Sequence, residues 1–169
     1  MKTKRITTFT ALLISSLAVA LTPVYALDIT GSYDDKGTVI QSASGGESET
    51  ISFHGMLSLD FDPIMAEAKY GDTSHIDLID LKEKLDIEII DEEGKMVWGA
   101  VWGRYEGYSH EGDSAVIRIS NGESNGHRTS LVITPLNDGA YLEVKAYKIT
   151  ATALGPKSDP IGSYIFVKN

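Results

Sequence analysis

Leu85-Asp86-Ile87-Glu88-Ile89 decides the fold class. Apolar and acidic side chains alternate there, so a strand puts the two kinds on opposite faces. The turn-forming run Asp91-Glu92-Glu93-Gly94-Lys95 follows, and a second apolar stretch begins just after it. That order predicts a β-hairpin. The same alternation recurs further along. Ala115, Ile117 and Ile119 share one face of a strand, and Leu142, Val144 and Ala146 share one face of another, with Glu143 and Lys145 pointing away. Asn137-Asp138-Gly139 predicts a tight turn ahead of that strand, and Ser163 to Val167 reads as the last one.

Turn residues punctuate the rest at short intervals, as at Asp34 to Gly37, Gly45-Gly46, Gly71-Asp72, Glu111 to Asp113 and Asn121 to Gly126. Runs rich in Val, Ile, Thr and aromatics lie between them. The expected architecture is all-β: an antiparallel β-sandwich of about eight strands, with a small closed β-barrel as the alternative. One region departs from the pattern. Ile64 to Lys69 prefers helix, and Ser74-His75-Ile76-Asp77 resembles a capping box ahead of Leu78, Leu81 and Leu85. A short helical insertion is expected there; the rival reading is a strand through Ile76 and Leu78.

The N-terminus reads as a secretory signal peptide over residues 1–26. Lys2, Lys4 and Arg5 precede the apolar run Ala11 to Leu21, and Val24-Tyr25-Ala26 supplies small residues for cleavage. The apolar run is short for a membrane span. Residues 27–169 are then one β-rich domain, exported to the periplasm or the extracellular space, with no later hydrophobic run to hold it in a membrane. Cleavage removes three basic side chains and no acidic one, so the net charge moves from −9 to −12. Such a chain is repelled by nucleic acid and anionic lipid. It contains no Cys, so its core must stand without disulfides. About 140 residues suffice for that.

Chemistry-bearing candidates are few. Both tryptophans fall in Val97-Trp98-Gly99-Ala100-Val101-Trp102-Gly103-Arg104-Tyr105-Glu106-Gly107-Tyr108. On one continuous strand, Trp98 and Trp102 share a face about 13 Å apart, and Arg104, Glu106 and Tyr108 continue it. Trp98, Trp102, Arg104, Tyr105 and Tyr108 are therefore the candidate contact residues for a glycan or a protein partner. The plainer reading is that the rings fill the core. Asn121, Glu123 and Asn125 match the front half of a calcium loop, but position twelve is Val132, which offers no carboxylate; Asn, Gly and Ser also make ordinary turns. Asp60 and Asp62 could form an acid/base pair. His54, His75, His110 and His127 have no metal-ligand spacing and read as surface histidines. The leading expectation is an exported, non-catalytic binding or interaction protein. The alternatives are a small carboxylate-dependent hydrolase and a calcium-stabilised structural protein.

Overall fold

The computed structural model describes residues 28–43, 50–57, 73–120 and 127–169. Eleven strands form among them: β1 (Gly31–Asp34), β2 (Lys36–Ser42), β3 (Thr50–Ser52), β4 (Thr73–Asp80), β5 (Lys84–Asp91), β6 (Met96–Gly103), β7 (Tyr108–Glu111), β8 (Ser114–Ser120), β9 (His127–Leu136), β10 (Tyr141–Thr152) and β11 (Gly155–Val167). They make two antiparallel sheets. The smaller has the order β1-β4-β5-β6 and the larger β3-β2-β11-β10-β9-β8-β7. Neither closes on itself, so the arrangement is a sandwich and not the closed barrel.

The alternating runs account for the core. Ile87 and Ile89 of β5 pair across to Leu78 and Ile76 of β4, Leu85 stands opposite Asp80, and all five apolar side chains are buried. Leu142, Val144 and Ala146 of β10 lie between Ile133 and Leu131 of β9 and Tyr164 and Phe166 of β11, all buried. Together these side chains form one apolar cluster that draws on both sheets. The β9–β10 turn forms at Asn137-Asp138-Gly139, three consecutive residues with positive φ. Asn, Asp and Gly are the residues that adopt this conformation most readily.

Ser74 to Asp80 is strand, not the capped helix. Ile76 and Leu78 stand two apart and match the inward faces of Ile89 and Ile87. A helix would turn one of the two away from that surface, so cross-strand burial outweighs the local capping pattern. The helix-favouring stretch at Ile64 to Lys69 lies outside the described residues, as do residues 1–26. The helix among the described residues is instead the single turn α1 (Phe53–Met56), which caps the sandwich. Its N-cap Ser52 accepts from the Gly55 amide through Oγ at 3.1 Å. Phe53 and Met56 are fully buried, and Phe53 meets Phe166 edge to face at 5.1 Å.

Candidate functional site

The aromatic segment follows the expected strand only as far as Gly103. β6 pairs with β5 alone among the described residues, which makes it an edge strand of the smaller sheet. Its register sets Trp102 opposite Leu85, Ala100 opposite Ile87 and Trp98 opposite Ile89. The two tryptophans thus face the core side, but at its margin, and both are half-buried. Their ring centroids lie 5.9 Å apart with planes tilted by 40°. The rings lean together into one aromatic ledge, in place of two platforms a strand-length apart. Trp98 also meets the His54 ring of α1 at 5.1 Å, so the helix closes one end of the ledge. Burial lowers the His54 pKa below its ordinary value, against an opposing pull from the Asp35 carboxylate.

The opposite face of β6 is apolar and open. Met96, Val97 and Val101 are 53 %, 49 % and 52 % exposed. An irregularity between the Ile89 and Ile90 rungs leaves Val97 without a direct partner on β5. From Trp98 to Gly103 the pairing is regular.

Beyond Gly103 the single-strand expectation is corrected. Arg104–Glu106 forms one turn of 3-10 helix, and Glu106 Oε2 accepts from the Gly103 amide at 3.1 Å. Gly107 then takes φ +101°, and its carbonyl accepts from the Arg118 amide at 3.0 Å. A Cβ there would stand 2.6 Å from the Arg118 carbonyl oxygen, so only glycine fits the crossing. The chain passes to the other sheet at this point. Arg104 and Tyr105 remain at the surface, Tyr105 being 98 % exposed, while Tyr108 is buried in β7. Tyr108 therefore lies inside the sandwich and does not extend the tryptophan face.

Tyr108 belongs to a polar cluster that the sequence did not reveal. Its hydroxyl donates to Asp80 Oδ1 at 2.8 Å, and His110 Nε2 lies 3.0 Å from Asp80 Oδ2. Burial, then the hydrogen bond to Asp80, pushes the phenol pKa well above its ordinary value. The cluster pins β4 of one sheet to β7 of the other. His110 is thus a partnered, mostly covered side chain and not a surface one. A second buried carboxylate, Asp35, accepts from Ser52 Oγ at 2.7 Å, from the His54 amide at 2.9 Å, and from Thr73 Oγ1. Its own amide donates to the Ser74 carbonyl at 3.2 Å, and its carbonyl accepts from the Phe53 amide at 2.9 Å. Asp35 was legible only as part of a turn. Nothing local marks it as the acceptor that joins β1, β2, β3, α1 and β4.

Asn121, Glu123 and Asn125 lie outside the described residues, as do Asp60 and Asp62. Among the described residues no three His, Asp or Glu side chains gather as a metal site. No described helix is long and apolar enough to cross a membrane. No protein-family model, curated protein or solved structure matches the chain.

Proposed function

We propose that the protein is an exported, non-catalytic binding protein that engages a partner through β6. The observation that carries this reading is the aromatic ledge: two half-buried tryptophans in contact, on an edge strand that is free among the described residues and whose other face is apolar. Aromatic rings supply large contact area at small entropic cost, which is why they concentrate at binding surfaces. Arg104 and Tyr105, exposed just beyond the strand, add a cation and a phenol at one end of the surface. The 40° tilt between the touching rings favours a polypeptide over a linear glycan, because the two rings do not present one flat pair of stacking platforms.

Tryptophan fluorescence tests the reading, since both reporters lie on β6. Acrylamide quenching of the free protein is expected to be intermediate, as befits half-buried rings. Binding to a polypeptide or an oligosaccharide is expected to shift the emission and reduce the quenching. Phe at Trp98 and Trp102 should weaken binding and leave the fold intact. Unfolding of Trp98→Phe and Trp102→Phe, with full protection of the wild-type rings from acrylamide, would return both residues to the core and end the proposal.

A further inference from the structure

The strands that end a sheet among the described residues are not guarded alike. β3 has three residues, and β1 and β7 have four each, too short to template much pairing. β1 is also bridged to the end of the larger sheet at Tyr33 and Lys168. The part of β11 that runs past its last rung with β2 carries Pro156, Lys157 and Pro160. Proline lacks an amide hydrogen and lysine resists burial, so both block an incoming strand. β6 has none of these devices. Its eight residues include no proline and no charged side chain. Its one irregularity lies at Val97, so the unguarded run is Trp98 to Gly103. Long apolar edges left open are templates for pairing.

The outer face beside β6 specifies what would pair. Asp86 stands opposite Val101, and Glu88 opposite Gly99. Among the described residues neither carboxylate has a cation within ion-pair distance. Glu88 neighbours Asp77 on β4, whose contact with His75 is a long 4.0 Å. Lys84 is the one cation of β5 and sits at its far end, opposite Gly103. Gly99 carries no side chain over Glu88; the Met96 Sδ stands 3.3 Å from where a Cβ would lie, and as the end of a flexible side chain it can be displaced by a side chain of a strand added outside β6. Adjacent strands lie about 4.8 Å apart, so a long basic side chain two strands away spans the distance to an extended Glu.

We propose that β6 accepts an extended polypeptide segment of a partner as an added antiparallel strand, with Lys or Arg on its outer face over Gly99 and apolar residues on its inner face against Trp98 and Trp102. This rests on the reading of β6 as the binding surface and names its ligand class. Main-chain hydrogen bonds supply the affinity and the alternate side chains supply the choice of partner. A second copy of this chain fits less well. It would bring another Glu88 and Asp86 to the same face, and the whole chain carries a net charge of −9.

The test uses two fluorescent peptides of alternating sequence, Lys-Val repeats and Glu-Val repeats, with anisotropy for affinity and amide hydrogen exchange for location. The Lys-Val peptide is expected to bind in the micromolar range, more weakly at high salt, and to slow exchange in β6. The Glu-Val peptide is expected not to bind. Val101→Lys, which guards the edge without touching the core, should weaken binding at least about tenfold. Glu88→Gln should weaken it by about two- to fivefold, the scale of one partly exposed ion pair.

Absence of Lys-Val binding, or binding that Val101→Lys leaves unchanged, overturns the proposal. If the peptide fails while an oligosaccharide still shifts the tryptophan emission, the strand-addition proposal falls and the broader binding reading stands. Sedimentation that reveals a dimer abolished by Val101→Lys would make a second copy the occupant, and would overturn the basic-segment assignment.

Discussion

The Asp35 corner and the β6 edge treat polar and apolar groups in opposite ways. At the corner a carboxylate is fully buried, and hydroxyls of Ser52 and Thr73 with the His54 amide surround it. At the edge, apolar side chains stand in the open and two carboxylates lie beside them without a cation among the described residues. Buried charge is tolerated only when every partner is in place, so the corner is a structural device. Exposed apolar surface contributes little to folding, so the edge is the place proposed for binding. The comparison teaches where substitutions should cost stability and where they should cost recognition.

Asp35→Ala should strike hardest. It leaves two hydroxyls and an amide without their acceptor, and a loss of about 3–5 kcal/mol is expected in urea unfolding. A loss below 1 kcal/mol would break the comparison, since the corner would then be no more structural than the edge. Tyr108→Phe comes next. It removes one donor from Asp80 and should cost about 1–3 kcal/mol by the same measurement. An unchanged urea midpoint would mean that the tie between β4 and β7 does not depend on this hydroxyl.

The acid limb of the stability curve sharpens the contrast further. Burial lowers the His54 pKa in the folded state, so the unfolded chain takes up this proton first as pH falls. The stability associated with neutral His54 is present above the ordinary pKa of about 6.5 and is lost as pH falls from there toward the folded value. Unfolding curves between pH 7.5 and 5 should therefore flatten in His54→Phe relative to the wild type. Parallel slopes would remove His54 from the acid response. The smallest effect belongs to the edge itself. Val101→Lys places a charge at a half-exposed position and should change stability by no more than about 0.5 kcal/mol, even as it blocks strand addition. A larger loss would show that β6 supports the fold as much as the corner does.

Legibility followed the range of each interaction. The Leu85 to Ile89 alternation, the apolar set of β10 and the Asn137-Asp138-Gly139 turn were readable because face and turn preferences act within a few residues. Thr73–Asp80 was ambiguous because Ser74 and Asp77 favour a cap locally, while Ile76 and Leu78 serve a strand only when β5 is beside them. The tryptophan segment was half legible. Its first half is a strand, but the break after Gly103 depends on a close approach of Gly107 to Arg118, a residue on β8. The strand count rose from about eight to eleven for a similar reason. Short pieces such as Thr50–Ser52 and Tyr108–Glu111 have too little local pattern and exist through their partners.

Periodicity and turn chemistry alone determined that this chain is β-rich and antiparallel, because those signals are local and repeated; that the sheets stay open as a sandwich and do not close as a barrel was decided by the tertiary structure. The tertiary structure decided which strand stands at the edge, which carboxylates are buried, and that Trp98 and Trp102 touch each other while Tyr108 turns inward. Those outcomes depend on contacts between residues far apart in the chain. Asp35 and Thr73, or Asp80 and Tyr108, meet only when the two sheets close. No neighbour in sequence records that they will.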